Sequence, residues 1–457
     1  MAYKFPTQTV DNLKEEYDAI IVGSGGTGLA AAIQAHQYGL NVAILEKNSF
    51  LGGNTMRASS GMNAAESIVQ ARLGVNDSMQ KFYDETLKSG GYMNDREMLH
   101  YFVEHAPLAI AWLEDLGIKV DDLTITGGMS KKRTHRPSSM APIGAFLVNN
   151  LLKLADERHI PIFIDSKVTS LLQDKDKKIT GVEVNKEHQV RAKAVLLATG
   201  GFGAAKDLIA KYRPDLRDYK TTNQAGATGD GFKLADKVGA QLEQLELVQV
   251  HPTVQQDTDH AYLIGEAVRG EGAILVDRDG ERFINELSTR KIVSNAITET
   301  PEHSAYLIFD QGVRDRVKAI EFYDSINLVV HGSTIEELAE NIKVPAANLK
   351  KTLQSWNEAV KKNSDTEFGR TTGMASLDHA PYYAIHIAPA IHYTMGGIHI
   401  APDTRVYDTN GNFIAGLYAA GEVSGGLHGN NRIGGNSIAE TIIFGREAGK
   451  TMAKLIK

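Results

Sequence analysis

Residues 23–28 read Gly-Ser-Gly-Gly-Thr-Gly. They sit between the short apolar runs 18–22 and 42–46, with the alanine-rich stretch 29–38 between the turn and the second run. That order predicts strand, tight turn, helix, strand. The glycines Gly23, Gly25, Gly26 and Gly28 divide three duties among them. One permits the turn, one lets a pyrophosphate approach the backbone, and one lets helix and strand pack closely. Behind them the helix N-terminus, with Thr27 in its first turn, offers free N–H groups and the positive end of a dipole. Glu46 closes the second run, where a carboxylate can accept the hydroxyls of a ribose, and Lys47 follows it. The unit is a dinucleotide site.

NAD and FAD would both suit such a unit, so the choice rests on later segments. Gly52-Gly53-Asn54-Thr55 follows the second strand, and 194–201 (AVLLATGG, ending in Gly200 and Gly201) and 416–422 (GLYAAGE, ending in Glu422) each read as a strand closing in small residues. Such returns suit backbone lying along a large extended cofactor, which favours FAD. Between them, 161–195 alternates apolar runs with charged turns, as a β-meander would. From 245 to 391 short strands and helices mix, including a helical pattern over 344–362, and 436–457 reads as a buried closing helix. The expected fold is therefore α/β. A Rossmann-like FAD-binding domain (1–245 and 392–457) carries an inserted α+β capping, or clamp, domain (246–391).

Composition narrows the chemistry. The 457 residues contain no Cys, which excludes disulfides and thiolate-held iron–sulfur clusters on this chain. Electrons are expected from an external donor. Net charge is −7 with no basic track, so nucleic acid is not an expected partner. The N-terminus lacks the apolar core of a secretion signal and no run approaches the roughly 20 residues of a membrane span, so the expected setting is cytoplasmic without direct membrane insertion. The histidines at 379, 386, 392 and 399 match no ligand spacing, and no metal is expected.

Four stretches concentrate His, Arg and Gly: 249–253 (QVHPT), 265–290 (GEAVRG through NELSTR), 392–397 (HYTMGG) and 428–437 (HGNNRIGGNS). Taken singly, each residue in them also fits a packing role. Together, and in this order, they resemble the flavoprotein family of fumarate reductases and succinate dehydrogenases, most of all the soluble fumarate reductases built on a single flavoprotein. The resemblance runs from about Asp18 to the C-terminus.

It implies a role for individual residues. His392 and Arg432 resemble the pair that grips one substrate carboxylate, and His251 a ligand of the other, with Gly265, Glu266, Gly435 and Ser60 beside them. Arg290 matches the family's proton donor, with Glu266 and Arg269 resembling its relay to solvent. FAD contacts are implied at Thr27, Glu46, Asn54, Ser59, Ser60, Val168, Asp230, Tyr393, Glu422, Ser437 and Ile438. The turn 434–437 would set helix N–H groups against the flavin. The implied reaction is reduction of fumarate to succinate, by hydride transfer from flavin N5 and protonation by Arg290.

Two departures matter. Gly265 stands where many relatives have Thr, which leaves other unsaturated acids of urocanate, cinnamate or acrylate type open. Ala58-Ser59-Ser60-Gly61 lacks the histidine that membrane-bound relatives attach to FAD, so the cofactor is expected to be held without a covalent bond. A flavin-holding subunit without turnover of its own is the reading from a different class. His135 and His428 are left without an assigned role.

Overall fold

The apolar runs around the glycine turn pair side by side. In the computed structural model, which describes residues 3–258 and 260–456, strand Glu16–Val22 lies parallel between Val42–Leu45 and His188–Leu197. Ile162–Phe163 extends the sheet on one side and Phe413–Ala419 on the other, both in parallel. Arg405–Tyr407 closes one edge antiparallel, and the hairpin Val168–Gln173 and Ile179–Val184 joins through His188–Leu197, making eight strands. Parallel strands covered on both faces need apolar side chains throughout, which is why AIIV, VAIL and AVLL show no alternation. The expected meander is part of this same sheet.

Helix Gly26–Gln37 follows the turn and packs against the closing helix Asn436–Ile456. Their approach is backbone to backbone: a Cβ at Gly445 would lie 2.7 Å from the Thr27 carbonyl oxygen, and one at Gly449 2.7 Å from that of Ala31. This contact carries the N-terminus of the closing helix to the glycine turn. Lys457, which the sequence reading included in this helix, lies outside the described residues, as do Met1 and Ala2.

A separate hydrophobic core runs from Ile264 to Ile387 around an antiparallel six-stranded sheet. Helix Ala346–Lys361 covers it with Leu349, Leu353 and Trp356, as its spacing predicts. Strand Tyr382–Thr394 belongs to both halves of the molecule. Its first residues pair with Ala305–Asp310 inside the second core, and its last pair with Val248–Gln255, bringing Tyr393 opposite Gln249. His392 and Tyr393 thus ride on a strand anchored in the second core and end beside the first. No helix among the described residues is long and apolar enough to cross a membrane.

Candidate active site

The glycine turn, the strand ends and the second core enclose one cavity of about 590 Å³. Its long arm is lined by Gly23, Gly25, Gly26, Thr27, Glu46, Lys47, Gly53, Asn54, Thr55, Val168, Gly200 and Asp230. Its other end is lined by Ser59, Ser60, His251, Glu266, Arg290, His392, Tyr393, Glu422, Arg432, Gly435, Ser437 and Ile438. Of the sequence-derived residues, Gly28, Gly201, Gly265 and Arg269 are not on its wall. Gly28 serves packing instead, since a Cβ there would lie 2.0 Å from the Gly23 carbonyl oxygen. Gly201 leaves room for Thr394 and Glu422, whose nearest side-chain atoms would lie 2.0 and 2.6 Å from its Cβ.

The long arm fits an extended dinucleotide. Gly25 caps the first helix and has no side chain to bond its N-terminus, and Gly25, Gly26 and Thr27 all lie on the cavity wall, where helix N–H groups can receive a phosphate. Thr55 Oγ1 accepts from the Gly26 N–H at 3.1 Å and ties the second glycine stretch to the first. Glu46 is held firmly: one oxygen accepts from the Ser24 N–H and hydroxyl, the other from Asn48. Lys47 pairs with Asp230 at 2.7 Å, so these two polar groups reach the wall as an ion pair. Glu422 donates nothing here and accepts from the Thr394 N–H at 3.1 Å; removal from bulk water pushes its carboxyl up to about 7.

At the other end the cations gather. Arg290 begins helix Arg290–Glu299, and its Nε donates to Glu266 Oε1 at 2.6 Å while Nη1 donates to Gln249 Oε1 at 3.0 Å. Gly434 lets this pair approach closely, because a Cβ there would stand 2.9 Å from Glu266 Oε2 and 3.2 Å from Arg290 Nη2. Burial alone would raise Glu266, but the charges of Arg290 and Arg269 outweigh it and hold the carboxyl near about 2. Arg269 lies behind, 3.8 Å from Glu266, and is fully enclosed. Its Nη1 donates to the Glu286 carbonyl oxygen, and Arg370 donates to its own. Arg370, Glu286, Arg282 and Asp365 then form a buried ion cluster stacked on Trp356.

Both histidines are neutral. Burial first, and then the arginine charges around them, lowers each well below its usual value. His251 Nδ1 accepts from the Thr253 N–H at 3.3 Å, so its proton is on Nε2, which is buried with no partner among the described residues. His392 stands edge-on to it at 5.3 Å, with Thr222 Oγ1 2.7 Å from its Nδ1. Arg432 lies with its guanidinium carbon 4.4 Å above the Tyr393 ring, and burial with Arg290 repulsion lowers it to about 10. An enclosed array of donors and cations with one well-ionised carboxylate is arranged to receive an anion.

Sequence reasoning missed several residues that hold this array. Gln249 bonds Arg290 and the Arg432 carbonyl, and QVHPT was read only for its histidine. Asn63 donates to the Gly434 carbonyl at 2.7 Å and to Asn436 Oδ1 at 2.6 Å, pinning the turn before the closing helix. Tyr323 reaches the cavity from helix Ala319–Ser325. His428, left without a role, donates from Nε2 to Glu440 Oε2 at 3.0 Å, the same oxygen that accepts the Tyr393 hydroxyl. His135 is a packing residue, 2.6 Å from Ser67 Oγ and lowered to about 4 by burial.

Fold and cavity together define a flavin-dependent oxidoreductase. The chain belongs to the FAD binding domain family, whose pattern matches residues 18–438, and FAD is its cofactor. It is 47% identical over 449 residues to the NADH:fumarate oxidoreductase of Klebsiella pneumoniae (strain 342), covering 97% of this chain and 48% of that protein. It is 40% identical to the probable fumarate reductase Ifc3 of Shewanella frigidimarina (strain NCIMB 400), covering 96% of this chain and 75% of that one. The solved open conformation of a flavocytochrome c3 fumarate reductase superposes with a TM-score of 0.83 at 39% identity, covering 98% of this chain and 79% of that chain. The chain spans about half the length of the Klebsiella relative.

Proposed function

We propose that this protein reduces the C=C bond of fumarate to give succinate, with Arg290 as the proton donor. The observation that carries the reading is the Arg290 guanidinium, tied to Glu266 at 2.6 Å and Gln249 at 3.0 Å, on the same cavity wall as the unpartnered His251 Nε2 and Arg432. The relatives named as fumarate reductases support the substrate. FAD, when bound and reduced, supplies the hydride.

The protein's own residues do the rest. Arg432 and His392 grip one carboxylate and His251 the other, so negative charge building on the alkene meets fixed donors rather than reorganising water. Arg290 delivers a proton to the carbon that receives no hydride. An arginine is a weak acid, with an ordinary pKa of about 12.5–13.8, yet a carbanion-like carbon is a strong enough base to take its proton. A proton taken from solvent and passed along Arg269 and Glu266 then returns Arg290 to its charged state, which the Glu266 carboxylate beside it favours. Fixing the substrate against these groups is worth up to about 7–11 kcal/mol of the barrier. FAD is held without a covalent bond, Ser59 and Ser60 standing where a linking histidine would be needed. Electrons come from an external donor such as a reduced flavin or an NADH-linked reductase, a reading the Klebsiella relative's name supports. The core spanning 264–387 acts as the clamp over the substrate.

The second reading, reduction of another unsaturated carboxylate, is favoured by the missing side chain at Gly265. Anaerobic reoxidation of the dye-reduced flavin distinguishes the two. Fumarate is expected to restore the oxidised spectrum within one turnover and Arg290→Ala to abolish this with FAD retained. Reoxidation by urocanate, cinnamate or acrylate but not fumarate would sink the first reading.

A further inference from the structure

Resting on the enoate-reductase reading above, we propose that the Tyr323 hydroxyl, beside the open space at Gly265, binds the second carboxylate of the substrate and so sets a preference for diacids over monoacids. Tyr323 is enclosed, with 6% of its surface exposed, but it lines the cavity. Its Oη accepts the Gly265 N–H at 3.1 Å. That bond uses a lone pair and leaves the phenolic proton, which makes no hydrogen bond of its own among the described residues. Burial raises the phenol above its usual value, so the group remains a donor throughout the working pH range. A buried hydroxyl with an unused proton on a ligand cavity is costly unless the ligand accepts it.

Gly265 stands next to this hydroxyl. Its backbone, at φ −59 and ψ 148, is one that any residue adopts. A Cβ there would make only ordinary contacts, 3.6 Å from Tyr323 Oη and 3.8 Å from Ser59 Oγ. Neither conformation nor crowding demands glycine, so what it contributes is room next to Glu266. The two ends of the site come from different cores. Ile264 and Tyr323 belong to the second, whereas Ile391 and Ile433, beside His392 and Arg432, belong to the first. A dicarboxylate can place one anionic end on each wall. A monocarboxylate can satisfy only one.

The test compares Tyr323→Phe with the parent holoenzyme, using fumarate and crotonate as acceptors for a reduced dye. A parallel measurement takes succinate and butyrate affinities from perturbation of the flavin spectrum. The expected result is at least a tenfold rise in the fumarate KM and succinate Kd, with less than a twofold change for crotonate and butyrate. Adding Gly265→Ser to Tyr323→Phe supplies a new hydroxyl beside the place where the phenol stood and is expected to recover part of the loss. Equal effects on diacid and monoacid, or no effect on either, overturn the assignment while leaving the parent's fumarate activity, and so the broader reading, intact. A parent enzyme that reduces no enoate at all overturns both. The flavin spectrum verifies that each variant is folded.

Discussion

Arg432 is enclosed, with 3% exposed, yet it shares an ion pair with no carboxylate among the described residues. Among the described residues its Nε has no partner, and its only side-chain bond is a 3.3 Å one to the Ile433 carbonyl. What aims it is the Tyr393 ring 4.4 Å below, and that ring is fixed in turn because Glu440 takes its hydroxyl and His428 steadies Glu440. Cation–π contacts of this kind contribute about 0.5–2 kcal/mol. Glu440→Leu, which leaves the tyrosine unanchored, should therefore raise the KM for fumarate about fivefold and change kcat less, in steady-state assays of FAD-saturated enzyme. A unit change in both would refute the role. Glu422 leads to a second expectation. A carboxyl raised from its ordinary 4.5 to about 7 costs the folded apoprotein nothing below pH 4.5 and an increasing amount up to pH 7. The ceiling is about 3 kcal/mol at 1.36 kcal/mol per pH unit. Glu422→Gln should then raise the melting temperature of the apoprotein relative to the parent at pH 8 and leave it level near pH 4.5, as read by calorimetry.

At the scale of elements, the first strand–turn–helix was legible because one local unit must satisfy several constraints at once. Gly28 shows this: its hydrogen faces the Gly23 carbonyl, and a methyl would sit 2.0 Å from that oxygen, where backbone cannot yield. Gly28→Ala should push the helix off the strand at a cost of about 1–3 kcal/mol and weaken FAD binding at least tenfold, measured by FAD release in equilibrium dialysis. The strand ends at Gly200 and Glu422, which reach the cavity wall, were legible for a similar reason, as backbone bordering a deep cavity has few permitted residue types. Tyr323, Asn63 and Gln249 were not. Each acts through a contact between segments far apart in the chain: Tyr323 with Gly265, Asn63 with Gly434, and Gln249 with Arg290. No local spacing encodes those meetings. Arg269 is an intermediate case, since its place one helical turn from Glu266 was readable, but its enclosure by Arg370 and Glu286 came only with the tertiary structure.

At the scale of the whole molecule, the cavity wall is divided between two hydrophobic cores joined at this point by one long strand, Tyr382–Thr394. A ligand that bonds only one wall leaves the other free to move, whereas a dianion with an end on each must couple the two. Coupling of that kind shows in local opening rather than in average position. Amide hydrogen exchange of the FAD-loaded protein should therefore slow on adding succinate in two separate regions: 262–270 with 319–325 on the second core, and 428–438 on the first. The slowing should be matched in both, because each is stabilised by the same binding free energy, about 2.7 kcal/mol at a hundredfold excess over Kd. Butyrate, with one carboxylate, should protect 428–438 alone. Protection of only the first-core segment by succinate as well would mean that the second core takes no part in holding the diacid, and the clamp reading would fall with it.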